Sequence, residues 1–458
     1  MGEKTRLILI LAVISFLFGS AHSEYENYQY YNGMVNASEI LEKIGKGEPV
    51  EYDHVIVKGN LDLAQLDLPT RHIERDPYEI YRGRAENQTI IGALIRINDS
   101  SIEGMVNSNN TFFNNSIDFG GTIFNNDANF WDSTFNSYAG FVDSTFNSNA
   151  SFVDSTFNSY AGFVRPTFNC YANFGGSTYN SDAYFWGSNF RSVADFTGST
   201  FNRDAYFLYS NFSSYASFWD STFNSKANFF DAMFKGVTFF TGSEFIGDAL
   251  FQDTTFLEPL NLTRTKYDKL YIRWYNLKKG LVYDDAAYLS LIKNFKDLGY
   301  LEDYDLSYFQ YRKERRNQDW PGINDWEEKI RKALDYPLEW FYGYGTRPLS
   351  AFLISIGIIF LFGLFWWGIG LGGIGDVTKA DLPPEQEWEH RGIADIMGYS
   401  ATVFLSGTKF FIDTPPIPRI AGKSRSLIKK AFTFERLLGT LFSILLLIAI
   451  GGTIVRSA

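Results

Sequence analysis

The chain has 458 residues and a formal net charge of −11, and its length predicts about three domains. The acidic balance argues against a general nucleic-acid-binding protein. The only cysteine, Cys170, excludes an intrachain disulfide framework.

Residues 1–23 have the pattern of a secretory signal peptide. Lys4 and Arg6 precede an apolar run from Leu7 to Phe18, and Ala21-His22-Ser23 places small residues at the spacing of a cleavage site. The alternative is an uncleaved membrane anchor. Sequons of the form N-x-[ST] agree with export, although a chain this rich in Asn, Ser and Thr also forms them by chance.

Residues 34–105 are predicted to form an entry region or cap for a solenoid. Their apolar positions fit the first strand turns of such a coil, and solenoids require caps at their ends. These positions are Val55, Val57, Leu61, Leu63 and Leu66.

An eleven-residue repeat dominates residues 106–262. Its units read ANFWDSTFNSY from Ala128 and AGFVDSTFNSN from Ala139, and a period this short is typical of a solenoid. The Phe spacings alternate between five and six residues, which would scatter the rings around an α-helix. Residues two apart on a strand face the same side, so each half-unit sends one small and one large side chain inward.

The A-x-F-x-x-S-x-F pattern resembles the pentapeptide-repeat family, in a Phe-centred form with an extra residue in alternate repeats. The resemblance covers residues 113–256 and implies an all-β right-handed quadrilateral β-helix. Two units, or about 22 residues, would form one four-sided coil, which predicts about six to seven coils. Phe130, Phe152, Phe174 and Phe196 should then stack in one column.

Two polar rows of the repeat could bind a ligand or serve the fold. One is a carboxylate row that could hold Ca²⁺, but glycine takes the same position in other units, which favours turn residues. The other is an asparagine ladder, which we interpret as structural. The carboxylates are Asp132, Asp143, Asp154, Asp220 and Asp231, and the amides are Asn136, Asn147, Asn158, Asn169, Asn180, Asn202 and Asn224.

Aromatic residues also occupy outward positions of the repeat. If they cluster on one face, they would form a patch for a protein or glycan partner. The alternative is side-to-side packing on the surface of the rod. The residues are Trp131, Trp186, Trp219, Tyr138, Tyr160, Tyr171 and Tyr215.

The sequence contains no recognisable catalytic, cofactor-binding or metal-binding constellation. His22, His54, His72 and His390 are scattered without zinc-site spacing. The chain has no G-x-S-x-G, P-loop or dinucleotide fingerprint. We therefore expect a protein that is not an enzyme and uses no cofactor.

Residues 263–346 are predicted to be a helical linker, with a helical hairpin that breaks at Gly299. Residues 347–458 are predicted to be a membrane module. Its apolar runs at about 349–373 and 437–455 are long enough to cross a bilayer. Residues 393–412 between them are half-apolar, which indicates a re-entrant or interfacial segment.

This module resembles the ion-channel-like tail of microbial pentapeptide-repeat proteins. Residues 333–353 take the place of the lead-in segment, 398–418 that of the pore helix and filter, and 435–456 that of the inner helix. A potassium filter is a T-V-G-Y-G-like loop, whereas this chain offers a candidate degenerate filter with one glycine and a lysine that would repel cations. Its residues are Leu405, Ser406, Gly407, Thr408 and Lys409.

The charge distribution predicts the topology. Basic residues are concentrated in the loop between the two apolar runs, and fewer flank their outer ends. The positive-inside rule and the signal peptide both place this loop in the cytoplasm and the solenoid outside the cell membrane. The loop residues are Lys379, Arg391, Lys409, Arg419, Lys423, Arg425, Lys429 and Lys430, and the flanking residues are Arg331, Lys332, Arg347 and Arg456.

We therefore predict a membrane-anchored scaffold or interaction protein with an extracytoplasmic solenoid. Its expected partners are the membrane and an unidentified protein or glycan, without nucleic acid, and a homo-oligomer is left open. The alternative is an oligomeric, ion-channel-like membrane protein with the solenoid as its soluble domain, which would require the reverse topology.

Overall fold

The computed structural model describes residues 31–81, 83–318, 324–369, 371, 392–408, 412–418 and 424–457. The predicted signal peptide and Lys409 lie outside these ranges. Five of the predicted topology residues also lie outside them: Lys379, Arg391, Lys409, Arg419 and Lys423.

Residues 33–271 form a β-solenoid of about 11 turns, whose strands make four sheets along its length. Sheet 1 comprises Gly33–Asn36, Val55–Lys58, Ser101–Ile102, Ile123–Phe124, Thr145–Phe146, Thr167–Phe168, Asn189–Phe190, Asn211–Phe212, Met233–Phe234 and Thr255–Phe256. Sheet 2 comprises Thr70–His72, Asn87–Ile91, Thr111–Phe113, Thr134–Phe135, Thr156–Phe157, Thr178–Tyr179, Thr200–Phe201, Thr222–Phe223, Glu244–Phe245 and Lys266–Tyr267.

Sheet 3 comprises Val50–Asp53, Ile95–Asn98, Ile117–Asp118, Ala139–Gly140, Ala161–Gly162, Ala183–Tyr184, Ala205–Tyr206, Ala227–Asn228, Ala249–Leu250 and Leu270–Tyr271. Sheet 4 comprises Leu61–Asp62, Val106–Asn107, Ala128–Asn129, Ala150–Ser151, Ala172–Asn173, Ala194–Asp195, Ala216–Ser217, Thr238–Phe239 and Leu260–Asn261. The strands pair in parallel, except that Thr70–His72 runs antiparallel to Asn87–Ile91. The chain visits the sheets in the order 4, 2, 3, 1, so sheets 3 and 4 lie on opposite sides of the coil.

The inward register predicted from the repeat is confirmed. Phe130, Phe152, Phe174 and Phe196 form one column, with ring centroids 4.9, 5.0 and 4.9 Å apart. Neighbouring columns meet edge to face, as in the pair Phe152–Phe163 at 5.1 Å and 83°. Both geometries are favourable for aromatic rings, so the interior of the coil is filled by phenyl rings.

The small inward residues complete this core. Ala161 and Ala172 are fully buried. The buried hydroxyl of Ser155 donates to the Phe130 carbonyl oxygen at 2.6 Å, and that of Ser199 donates to the Phe174 carbonyl oxygen at 2.7 Å. A buried polar group is costly only when it lacks a partner, so these inward serines are tolerated because a carbonyl oxygen of the adjacent coil accepts the hydrogen bond. Ser144 instead donates to the Phe141 carbonyl oxygen of its own coil.

The polar rows have the structural roles expected of them. The aspartates of the carboxylate row have φ between 52° and 57°, and Gly176, Gly187 and Gly198 take the same left-handed position with φ between 66° and 68°. This conformation suits Gly and, after it, Asn and Asp, which explains the interchange. In the asparagine ladder, the Asn180 side chain donates to the Asn158 amide oxygen at 2.9 Å, so the amides bridge adjacent coils.

The solenoid extends beyond the predicted repeat at both ends, so the six to seven coils predicted for residues 113–256 are the middle part of a coil of about 11 turns. The strands of the entry region belong to the same sheets, where Ile95 pairs with Ile117 and Ile117 pairs with Ala139. Helix α1 (Ala37–Gly45) buries Ile40 and Ile44 against this end of the core.

The remaining helices are α2 (Pro77–Tyr81), α3 (Asp285–Asp297), α4 (Leu301–Asn317), α5 (Asp325–Tyr342), α6 (Pro348–Gly368), α7 (Ile393–Leu405) and α8 (Arg425–Ser457). Short 3₁₀ helices span Leu63–Gln65, Trp274–Asn276, Gly343–Gly345 and Ser406–Thr408. The predicted hairpin is confirmed as α3 and α4, with Gly299 at φ 73° between them.

Helix α3 closes the second end of the coil. Leu291 and Phe295 belong to the solenoid core. The Asn294 amide donates to the Leu270 carbonyl oxygen at 2.8 Å and accepts from the Leu270 N–H at 2.9 Å. The side chain therefore satisfies backbone groups that the last strand would otherwise leave unpaired.

Helices α6 and α8 are long and apolar enough to cross a membrane, by length and composition. The shorter α7 packs against both of them.

Candidate interaction surface and membrane module

The outer side of sheet 3 carries a row of tyrosines in four successive coils. Tyr184 and Tyr206 lie on the strands themselves, with centroids 5.1 Å apart and nearly parallel rings, and Tyr160 lies 6.2 Å from Tyr184. In the two preceding coils the strand residue is glycine, and Tyr138 and Tyr160 occupy the corner just before it.

Glycine makes room for the first ring of this row. A Cβ on Gly140 would lie 2.5 Å from Tyr138 Cε1, and one on Gly162 would lie 3.0 Å from the Tyr138 hydroxyl oxygen. In the first two coils the strand residue is glycine and the tyrosine lies at the corner. In the next two coils the tyrosine lies on the strand itself, so the row continues through all four coils.

Carboxylates hold two of these phenols. Asp182 accepts from the Tyr184 hydroxyl at 3.3 Å, and Asp204 accepts from the Tyr206 hydroxyl at 3.0 Å. Burial, followed by the nearby charge of Asp182, raises the pKa of Tyr184 to about 12. Both effects disfavour a second negative charge, so this ring stays a neutral hydrogen-bond donor at physiological pH.

A second row follows the corner between sheets 3 and 1. Trp186 and Tyr209 have centroids 6.4 Å apart, and Tyr209 and Phe230 are 5.8 Å apart. We call the two rows together the aromatic face. Its residues are Tyr138, Tyr160, Tyr184, Tyr206, Trp186, Tyr209 and Phe230.

The predicted outward aromatics do not all share this face. Tyr171 and Tyr215 precede sheet 4 on the opposite side, where Tyr215 lies 5.0 Å from Phe239. Trp131 and Trp219 lie at the corner between sheets 4 and 2. Tyr184, Tyr206 and Tyr209 were not among the predicted residues, because the outward positions of the repeat were not sorted by face. Grouping these positions by the doubled, 22-residue period would have sorted them, because residues 22 apart lie on the same face of the coil.

One group of potential metal ligands occurs among the described residues. Ligand atoms of Asp53, His54 and Asp99 lie within 4.8 Å of one another. His54 and Asp99 have φ of 55° and 46°, so their positions follow from the same left-handed turn as the carboxylate row. Since a turn explains the group, it does not by itself indicate a metal centre.

The predicted membrane module contains a fully buried carboxyl group, Glu435 of α8. Its Oε2 accepts from Trp366 Nε1 of α6 at 2.8 Å, and its Oε1 accepts from the Ser400 hydroxyl of α7. The Glu435 side chain therefore joins three helices through neutral donors. Glu435 was not among the predicted site residues, although an acidic residue at the start of an apolar helix is a recognisable signal.

The described candidate filter residues pack within the same bundle. Leu405 ends α7, and the buried Ser406 donates to the Val403 carbonyl oxygen at 2.8 Å. A Cβ on Gly407 would lie 2.5 Å from the Arg436 carbonyl oxygen, so this turn sits directly on α8. Thr408 ends the 3₁₀ turn and Lys409 lies outside the described residues. The filter assignment remains a prediction.

Residues 185–233 match a protein-family model described as pentapeptide repeats (9 copies). This match supports the predicted resemblance in the middle of the solenoid. No match to the chain was found among curated proteins or among solved structures.

Proposed function

We propose that the chain is a non-enzymatic, membrane-anchored scaffold that presents its aromatic face to a partner. The carrying observation is that one outer side of the solenoid gathers two rows of aromatic rings over consecutive coils. Helices α6 and α8, which could anchor the chain in a membrane, follow the solenoid after α3, α4 and α5.

The filled interior supports a scaffold role, because stacked phenyl rings leave little space for a substrate inside the coil. Pentapeptide-repeat β-solenoids are typically structural or interaction scaffolds. Tyr and Trp rings offer large contact areas at a small cost in side-chain entropy. The expected partner is a protein or a glycan on the same side of the membrane as the solenoid.

An ion-channel-like role is the second candidate. The observation that favours it is the arrangement of α6, α7 and α8, in which a short helix and the following tight turn pack between two long apolar helices. This order is similar to that of two-helix channels, where a pore helix and filter lie between the spans.

Membrane topology separates the two candidates. In a Cys170→Ser background, single cysteines replace Thr200 in the solenoid or Arg425 at the start of α8. The scaffold proposal expects a membrane-impermeant maleimide to label position 200 in intact cells and position 425 only after permeabilisation. The reverse labelling pattern would contradict the proposed topology and support the channel candidate.

A photocrosslinking amino acid tests the aromatic face. It replaces Tyr206 on this face or, as the matched control, Tyr215 on the opposite side of the coil. We expect a discrete crosslinked partner from position 206 in intact cells and none from position 215. Identical products from both positions, or no product from either, would contradict a partner-binding role for this face.

A further inference from the structure

Helix α5 is amphipathic, but its apolar side faces away from the protein. Trp326, Ile330, Leu334 and Trp340 are between 50% and 72% exposed. At about 100° per residue, seven of the apolar side chains fall within about 120° of the helix circumference, and Leu338 lies just beyond this arc. This apolar stripe comprises Trp326, Ile330, Ala333, Leu334, Pro337, Trp340 and Phe341. At its C-terminal end Phe341 packs edge to face on Phe442 of α8, with ring centroids 4.9 Å apart.

The opposite, polar side of α5 packs on α4 and fixes this orientation. Arg312 lies 3.0 Å from the Asp335 carboxylate, and Arg316 pairs with Glu339. Tyr344 also donates to Asp335 at 2.5 Å. A surface helix of a globular protein normally turns its apolar stripe toward the core and its charges toward water. Helix α5 does the reverse, so its stripe needs an apolar environment outside the chain.

We propose that α5 lies in the lipid–water interface, with its apolar stripe inserted at the boundary of the acyl chains. The inference rests on the membrane anchoring proposed above. Continuity of the chain identifies the bilayer as the occupant, because α5 ends at Tyr342 and the apolar helix α6 begins at Pro348. An anchored α6 holds the adjacent stripe close to the membrane surface.

The composition of the stripe and its border fits this environment. Trp326 and Trp340 lie near the two ends of the helix, and indole rings favour the headgroup level of a bilayer. Lys329 lies beside the stripe, where its stem can cover lipid while its ammonium group reaches phosphate groups. Together these features describe a helix lying in the plane of the interface.

Spin-label accessibility in the full-length protein tests the inference. In the Cys170→Ser background, nitroxide-labelled single cysteines replace Ile330 or Leu334 in the stripe. Leu361 on the exposed side of α6 supplies the lipid reference, and Asn202 on the solenoid supplies the aqueous reference. The protein is reconstituted into phosphatidylcholine–phosphatidylglycerol vesicles, and collisions with oxygen and with a water-soluble nickel chelate are compared.

We expect positions 330 and 334 to behave like position 361, where the nitroxide should collide more often with oxygen than with the nickel chelate. Behaviour like that of position 202 would place the stripe in water and overturn the inference, while anchoring by α6 would stand. Low collision with both reagents would show a protein contact, such as a second copy of the chain, and would also overturn it. An aqueous signal at position 361 would contradict membrane anchoring itself and the inference with it.

Discussion

Replacing Phe163 with Asp is expected to unfold the middle of the solenoid. The ring is fully buried and stacks on Phe141 and Phe185 at 5.0 and 4.9 Å. It also meets Phe152 and Phe174 edge to face at 5.1 and 5.2 Å. The substitution removes these contacts, which costs about 3–5 kcal/mol for a buried Phe, and buries a carboxylate without a partner, which costs several kcal/mol more.

The damage should spread from this coil, because each coil of a solenoid is stabilised only by its neighbours. We expect a large drop in the thermal midpoint of the β-sheet circular dichroism signal of the purified full-length protein. Limited proteolysis should then cut near residue 163.

Two variants control for the charge and for the lost volume. Tyr160→Asp introduces the same charge three residues away, at a side chain that is 52% exposed, and should cost less than about 1 kcal/mol. Phe163→Leu keeps an apolar side chain and should fall between the two. Equal losses of stability for Phe163→Asp and Tyr160→Asp would show that the inward register is wrong.

The centre of the solenoid could be predicted from the sequence because its inward positions repeat almost without exception. The positions of Ala172 and Phe174 in one unit predict the equivalent pair in the next unit. Stacking of the coils requires only that this period is constant. The spacing of two residues between them then gives the strand geometry and the column of rings.

The ends of the solenoid could not be predicted in the same way. Near the N-terminus, Ile95 and Ile117 take the place that alanine has in later coils. Ile97, which is fully buried, takes the place that Phe119 has in the next coil. An aliphatic side chain can fill the interior where a later coil has a phenyl ring, so the coil continues where the motif is no longer visible. The sheets tolerate this change because backbone pairing depends on register and only weakly on residue type.

The candidate surface was partly predictable. Tyr138, Tyr160 and Trp186 could be recognised as outward aromatics, but neighbouring units lie on opposite sides of the coil. Glu435 was missed for a different reason: its partners Trp366 and Ser400 come from distant helices, and their approach depends on tertiary packing that no local pattern encodes.

Replacing Gly439 with Val is expected to separate α7 from α8. A Cβ at position 439 would lie 1.9 Å from the Phe404 carbonyl oxygen and 2.6 Å from its carbonyl carbon. These are backbone atoms, which cannot turn aside as a flexible side chain can. Small residues allow helices in membranes to approach this closely, so the three carbon atoms that valine adds must push the helices apart.

The separation should also break the contact that Glu435 makes with Ser400, since Ser400 lies one turn before Phe404 on α7. Overpacking alone costs about 1–3 kcal/mol, and the loss of buried hydrogen bonds adds to it. We expect a lower thermal midpoint for the full-length protein in detergent, measured by size-exclusion chromatography after heating, with a red shift in tryptophan emission as Trp366 loses its buried partner.

Gly451→Val is the matched control for this variant, because it places the same side chain on the same helix where a Cβ would meet no atom within 4 Å. It should leave both readouts close to those of the unaltered protein. If the two valine variants lose stability equally, a general effect of valine on α8 would explain the result and the close contact at Gly439 would not. If only Gly439→Val is affected while the β-sheet signal persists, the contact between α7 and α8 holds the helical module together independently of the solenoid.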